Sequence, residues 1–307
     1  MDSISRIIRL ARAQGFADRR CLLSRSTVLD VSGPGQGSVP FHIVQFGACV
    51  LEVGERRIPL RTGDVVLLPG GAPHRIATAG EGAEMLRVAT SVGGAFETVR
   101  SGNGDIDLDL LLGHYRFGAG AGGMLLTSLP DPLHIPFGQS GKADELVRMI
   151  SSMMRREARL NGPGSSVILS SLSEALLAMV LRNTGTRITE GVLWTAASDG
   201  RIRTVVDAVL REPGSDWSIT RMASTAAMSR ATFIRHFCAG TGMTVGEFLT
   251  RVRLMVAADL LAESRLTVNS IAGQVGYRST SAFSRAFRSA TGATPAHFRR
   301  TIRTDSG

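Results

Sequence analysis

The chain has 307 residues, 43% apolar and 20% charged, which suits about two domains with cores of their own and excludes wholesale disorder. The apolar runs Leu108 to Leu126 and Val167 to Leu181 are interrupted by Asp109, Arg116 or Glu174, which argues against membrane-spanning helices. The formal charge of +9 is segregated: residues 200 to 307 carry 15 Arg against 7 acids, or +8, and the rest carries +1, as expected of a neutral module joined to one that binds a polyanion.

At the N-terminus Arg6, Arg9 and Arg12 alternate with Ile4, Ile7, Ile8 and Leu10. This spacing predicts a short amphipathic helix and lacks the continuous apolar stretch of a signal peptide, so a cytoplasmic location is expected. The three cysteines, Cys21, Cys49 and Cys238, are odd in number and far apart, which speaks against a disulfide framework or a zinc finger. Of the 35 basic residues only Lys142 is not Arg, the side chain that grips phosphate and guanine edges bidentately.

From Cys21 to about Val92, β-rich runs are punctuated by Gly and Pro: Ser26 to Val31, Phe41 to Phe46, Cys49 to Val53, Val65 to Leu68 and Met85 to Ala89. They predict an antiparallel β domain, with a further strand between Leu125 and Ile135. From Gly141 the period becomes helical, with Leu146, Met149, Ile150, Met153 and Met154, and a second apolar helix follows from Ser165 to Arg182. The pair reads as an αα-hairpin wide enough in its apolar surface to pack on the β domain and on a second copy, giving a homodimer. The boundaries expected are 1–140 for the β domain, 141–183 for the hairpin, 184–200 for a linker and 201–303 for the basic domain.

The basic region repeats itself. Phe233, Arg235, Phe237, Gly242 and Phe248 are echoed fifty residues later by Phe283, Arg285, Phe287, Gly292 and Phe298. Each copy reads as a short helix with a small Ala, a tight turn, a Ser N-cap (Ser229, Ser279) and a second helix with apolar residues four apart, which is a helix-turn-helix. Arg235 and Arg285 fall between two inward Phe residues and point outward, where a recognition helix carries its base-reading side chain. A helix over Val245 to Ala262 would join the copies.

Trp217-Ser-Ile-Thr-Arg-Met-Ala223, Met228-Ser-Arg-Ala-Thr-Phe233, Val275-Gly-Tyr277, Ser281-Ala-Phe-Ser-Arg-Ala-Phe287 and Gly292-Ala-Thr-Pro-Ala-His-Phe-Arg299 resemble the DNA-binding domain of the AraC/XylS family of bacterial transcription regulators. The resemblance covers a third of the chain and departs at Val245, where a Pro is usual. It implies two recognition helices in successive major-groove segments of promoter DNA. The DNA-binding residues would be Ser229, Arg230, Ala231, Ile234 and Arg235 in the first unit, and Arg278, Ser281, Ala282 and Arg285 in the second. RNA polymerase is a further partner that the family implies.

Phe41-His-Ile-Val-Gln-Phe-Gly-Ala-Cys-Val-Leu51 and Gly63-Asp-Val-Val-Leu-Leu-Pro-Gly-Gly-Ala-Pro-His74 resemble the cupin-like sensor of one branch of that family, with the second cupin motif kept and the first eroded. The whole is thus expected to be α+β: a cupin-like antiparallel β domain with a helical hairpin, then an all-α double helix-turn-helix domain. His42, Cys49, His74, His114 and Arg116 are candidate contacts for a small-molecule effector. If Phe46 and Gly47 form a two-residue turn, Cys49 shares a face with His42, and His42, Cys49 and His74 become candidate ligands for zinc or another divalent metal. Two other readings stand beside the regulator: a metal-dependent cupin enzyme fused to a DNA-binding domain, and an architectural DNA binder without a ligand. An enzyme is not expected, because the eroded motif lacks the facial ligand set that such chemistry needs.

Overall fold

The computed structural model describes residues 3–33, 38–80, 88–91, 97–101, 105–118, 129–137, 142–160, 162–187 and 199–305. The chain forms two compact units: one comprises residues 14–116 and 130–183, the other residues 1–13, 117–129 and 184–307.

Among the described residues the first unit holds ten strands: β1 (Gln14–Leu23), β2 (Val28–Val31), β3 (Ser38–Val53), β4 (Arg56–Arg61), β5 (Val65–Leu67), β6 (His74–Thr78), β7 (Val88–Ser91), β8 (Glu97–Ser101), β9 (Leu108–Arg116) and β10 (Leu133–Ile135). Their main path is β10-β5-β3-β9-β1-β8-β7, with β4 and β6 paired to β3 and β2 paired to β6. One correction to the sequence reading concerns β3, expected as two strands with a turn at Phe46 and Gly47. It is one 16-residue strand, and its pairing with β9 slips between Val44 and Phe46. The extra residue, Gln45, is a β-bulge that bends the strand. The first half of β3 therefore pairs with β5 and β9, the second half with β4 and β6, and the sheet curls into a half-barrel. Gly47 follows the bulge at φ +89, where a Cβ would meet the Asp107 carbonyl. A second correction is that β1 and β8 run parallel, within an otherwise antiparallel sheet.

Alternation gives the curled sheet an apolar inner face, with Cys21, Leu23, Val44, Leu51, Leu110 and Leu112 in one buried cluster. On the opposite face the rings of Phe41 and Tyr115 pack 4.7 Å apart, and Tyr115 Oη donates to the carbonyl of Ser173, 2.8 Å away. Ser173 belongs to the expected hairpin, formed by α2 (Lys142–Leu160) and α3 (Ser165–Arg187). The Ser165–Asn183 stretch of α3 has a mean hydropathy of 1.4 and, contrary to the sequence reading, is long and apolar enough to cross a membrane by composition. Its Leu169, Leu176, Leu177, Val180 and Leu181 are buried within the protein instead. Met85 to Arg87 and Leu125 to Ser128, parts of two expected strands, lie outside the described residues.

The second unit is helical: α1 (Ser3–Ala11), α4 (Gly200–Arg211), α5 (Ile219–Thr225), α6 (Arg230–Thr241), α7 (Val245–Glu263), α8 (Val268–Gln274), α9 (Thr280–Thr291) and α10 (Pro295–Asp305). The amphipathic N-terminal helix groups with this unit, where the sequence placed it with the β domain. Ile7 and Ala11 on α1 are fully buried, and α1 lies against α4 and α7.

Candidate nucleic-acid interface and effector cavity

In each helix-turn-helix the Ser N-cap sets where the recognition helix begins. Ser229 Oγ accepts from the Thr232 amide and Ser279 Oγ from the Ala282 amide, both at 3.2 Å, and each helix ends on a left-handed glycine, Gly242 or Gly292. The turn before the second recognition helix needs a positive φ, supplied by Gly276 at +88; Ala227 adopts +52 in the first.

Phe233 and Phe237 pack 5.5 Å apart under α6, and Phe283 and Phe287 pack 5.6 Å apart under α9. Burying these two positions of each helix turns the intervening face outward. Ser229, Arg230, Ala231, Ile234 and Arg235 are exposed on the first helix-turn-helix, and Arg278, Ser281 and Arg285 on the second, with Ala282 half-buried. Of the residues that the resemblance nominated, all but the half-buried Ala282 are thus exposed. Ile234 is 38% exposed, an apolar group with no core to serve there and chemically suited to a thymine methyl. Arg288, also exposed one turn beyond Arg285, was missed by the sequence reading because its counterpart in the first copy is Cys238.

The connecting helix α7 fixes the two helix-turn-helices relative to each other. Thr244 and Glu247 close a capping box around its first turn, so Val245 is accommodated without the usual Pro. Arg253 on α7 donates through Nε to the Pro213 carbonyl at 3.0 Å and through Nη2 to the Ser215 carbonyl at 3.1 Å, anchoring the loop between α4 and α5.

At one edge of the half-barrel a cavity of about 250 Å³ opens beside His42. Its wall includes Asp18 and Arg19 from β1, Asp30 from β2, Glu97 from β8 and His114 from β9, over an apolar surface of Val31, Pro40 and Leu112. Ion pairs organise this wall: His114 Nδ1 to Asp18 Oδ2 at 2.6 Å, Arg19 Nε to Glu97 Oε2 at 2.6 Å, and Arg75 Nε to Asp30 Oδ1 at 2.9 Å. Sequence reasoning found His42 and His114 and missed the four charged residues. Asp18 and Arg19 precede the first strand it recognised, although the alternation of β1 carried the signal. Arg116 does not line the cavity; it lies over the Phe16 ring at 5.1 Å, and that ring stacks on His114 with centroids 5.0 Å apart.

His42 and His74 meet at the inner end of this wall, their Nε2 atoms 2.6 Å apart. Burial pushes the His42 imidazole down to about 3, with the neighbouring His74 adding to the effect, and burial lowers His74 as well. Cys49 does not join them, a third correction. It shares the inward face but stands seven positions along the same continuous strand, about 20 Å of chain at the usual rise. Burial pushes its thiol up to about 12. Among the described residues no three His, Cys, Asp or Glu side chains gather around one point. Two imidazoles alone do not fit zinc, which takes three or four protein ligands.

A family model described as a cupin matches residues 2–184, and one described as a helix-turn-helix domain matches residues 222–301. An uncharacterized HTH-type transcriptional regulator of Haemophilus influenzae is 32% identical over 98% of this chain and 99% of its own length. The RCS-specific HTH-type transcriptional activator RclR of Escherichia coli K12 is 30% identical over 99% of both chains. A putative AraC-like transcription regulator of Streptomyces lividans is 32% identical over 85% of this chain and 86% of its own. These likenesses run through both the curled sheet and the paired recognition helices, and the chain accordingly belongs to the AraC-type family of DNA-binding transcription regulators with a cupin N-terminal domain.

Proposed function

We propose that this regulator acts in the cytoplasm as a homodimer, reads promoter DNA with α6 and α9, and changes its DNA affinity when a small molecule enters the half-barrel, without catalysing a reaction. The observation that carries the sensing role is the cavity beside His42, walled by charged groups from four strands and floored by apolar ones. A ligand there changes DNA affinity only as far as it binds the two conformations of the regulator unequally. RNA polymerase is the natural further partner of a protein so placed on a promoter.

The dimer reading rests on α2. Leu146, Met149, Met153 and Leu160 are 44%, 55%, 53% and 65% exposed along one stripe. Leu146 and Leu160 stand equally far on either side of Met153, so two copies crossing antiparallel at Met153 would set Leu146 against Leu160 twice, as a two-fold interface requires.

The experiment is to select the preferred duplex with full-length protein, then titrate it with and without molecules that raise the melting temperature. Leu112→Trp, which fills the cavity floor, should retain DNA binding and lose the response. DNA affinity that every bound molecule leaves unchanged would defeat the sensing role; salt-insensitive DNA binding would defeat the electrostatic reading of the basic unit.

A further inference from the structure

Beyond the shared helix α7, the two helix-turn-helices touch at a seam between the loop that leads into α5 and the turn that leads into α9. Gly214 on the loop lies so close to the turn that a Cβ there would run into the Gln274 carbonyl oxygen. Arg253 closes this seam from α7. Its Nε and Nη2 donate to the Pro213 and Ser215 carbonyls on the loop. The face of the same guanidinium covers Gly276 on the turn, where a Cβ would meet Nη2, Cζ and Nε at 2.6 to 3.1 Å. A planar fork does both at once, whereas a lysine ammonium has neither a face to stack nor a fixed pair of donors.

Each side of the seam is tied to its own recognition unit. On the loop, the Ser215 carbonyl also accepts from the Trp217 amide at 2.9 Å, Trp217 Nε1 donates to the Glu212 carbonyl at 2.8 Å, and the Trp217 ring carries the Arg221 guanidinium of α5 at 4.3 Å. On the turn, the Tyr277 amide donates to the Ala272 carbonyl at 2.8 Å, and the Tyr277 ring packs edge-on against the fully buried Phe283 of α9, with centroids 5.4 Å apart. A shift of the loop against the turn therefore carries α5 and α9 with it. The matching turn of the first copy has no such neighbour: Ala227 holds a methyl group there at φ +52, whereas at Gly276 the guanidinium leaves no room for one.

Reading bases with two helices makes their separation matter. Each base pair displaces the next base edge by about 3.4 Å along the duplex and about a tenth of a turn around it, so two helices held at one separation match one count of base pairs between their contacts. We infer that Arg253 is a positioning residue that pins the two helix-turn-helices at one separation, and thereby makes the regulator selective for the number of base pairs between its two base clusters. This deepens the reading of DNA by α6 and α9 proposed above and rests on it.

The test is binding of the full-length protein to the selected duplex and to derivatives with one base pair inserted or deleted between the clusters read by α6 and α9. The parent should lose about thirtyfold or more on either derivative, because base contacts of one helix are forfeited. Arg253→Met keeps the stem and removes the fork. It should bind the selected duplex about three- to tenfold more weakly and lose less than about fivefold on the derivatives, as expected when a preorganised geometry is relaxed. Gly214→Ala pushes the loop off the turn without touching Arg253 and should narrow the spacing penalty in the same way. Arg253→Lys should behave like Arg253→Met, since the charge stays and the fork is lost. Base preference inside each cluster should stay that of the parent throughout. A parent indifferent to spacing, a penalty of parental size in either folded variant, or its recovery in Arg253→Lys would overturn the positioning role and leave the paired reading standing. A selected site with a single cluster of preferred bases would overturn the paired reading itself, and the role of Arg253 with it.

Discussion

Arg12 and Asp259, 247 positions apart, form an ion pair in which Nη2 of the arginine lies 3.0 Å from Oδ1 of the aspartate. The same nitrogen is 2.6 Å from Glu263, one turn further along α7, so one guanidinium bridges two carboxylates near the end of the connecting helix. Beside it Ile7 and Ala11 bury the apolar face of α1. Burial dominates this attachment, because an ion pair with Arg12 39% exposed is screened by water. Ile7→Ala is expected to cost the helical unit about 2 to 5 kcal/mol in denaturant unfolding, and Arg12→Ala about 1 kcal/mol or less. A silent Ile7→Ala would show that α1 is not held on this unit in solution. The same packing makes removal of the N-terminal residues a poor test of sensing, since it would strip part of the reader's core.

Arg285 sits exposed between the buried Phe283 and Phe287, with Ser281 one turn before it and Arg288 one turn after. A bidentate contact to guanine from this position predicts that Arg285→Ala loses about 1 to 3 kcal/mol on the preferred duplex and relaxes selectivity at one base pair. Arg235→Ala should act likewise about one helical turn of DNA away. Binding to a library of single-base variants of the selected site checks this. Equal weakening on every sequence would make the arginine a phosphate contact instead.

The DNA-reading half was legible because its signals are local. The Phe pairs, Ser caps and left-handed glycines each fix a neighbouring turn, and the fifty-residue echo states them twice. In the sensor half, the harder features depend on distant partners. The run Phe41 to Val53 contains a glycine that looks like a hairpin turn, yet Gln45 is a bulge only because β9 pairs on both sides of it, while β5 pairs before it and β4 and β6 after it. That single misreading made Cys49 a metal ligand. Likewise the acidic side of the cavity comes from β1, β2 and β8, and the parallel pairing of β8 with β1 that brings Glu97 to Arg19 leaves no trace in either strand alone.

The buried histidine pair makes the sensor unit acid-labile. His42 is pushed from an ordinary value near 6.5 to about 3, so its neutral form is favoured in the folded state. A depressed pKa contributes stability that is complete above about 6.5, and that stability falls as the pH drops toward the folded value, by up to about 1.4 kcal/mol per pH unit. Between pH 7.5 and pH 5 the β unit should lose about 2 kcal/mol from this one group. In His42→Phe the loss over the same interval should shrink by that amount. Urea unfolding of both proteins at the two pH values measures it, and identical pH dependence in the two would show that His42 does not stay neutral and buried.

The exposed stripe of α2 gives the last expectation. Met149 and Met153 are more than half exposed on a helix whose other side, at Val147, Ile150 and Met154, is buried. Methionines packed across a two-fold axis contribute through apolar burial, and a carboxylate at the crossing point would be desolvated against its own copy. Met153→Glu should therefore shift the full-length protein from dimer to monomer in sedimentation. Because Met153 faces outward, the variant should keep the melting temperature of the folded unit within a few degrees of the parent once dissociation is allowed for. Binding to a duplex with two copies of the selected site should weaken far more than binding to a single copy, since the dimer gains by engaging both at once. A parent protein that is monomeric at working concentrations, or a Met153→Glu variant that remains dimeric, would remove α2 as the interface.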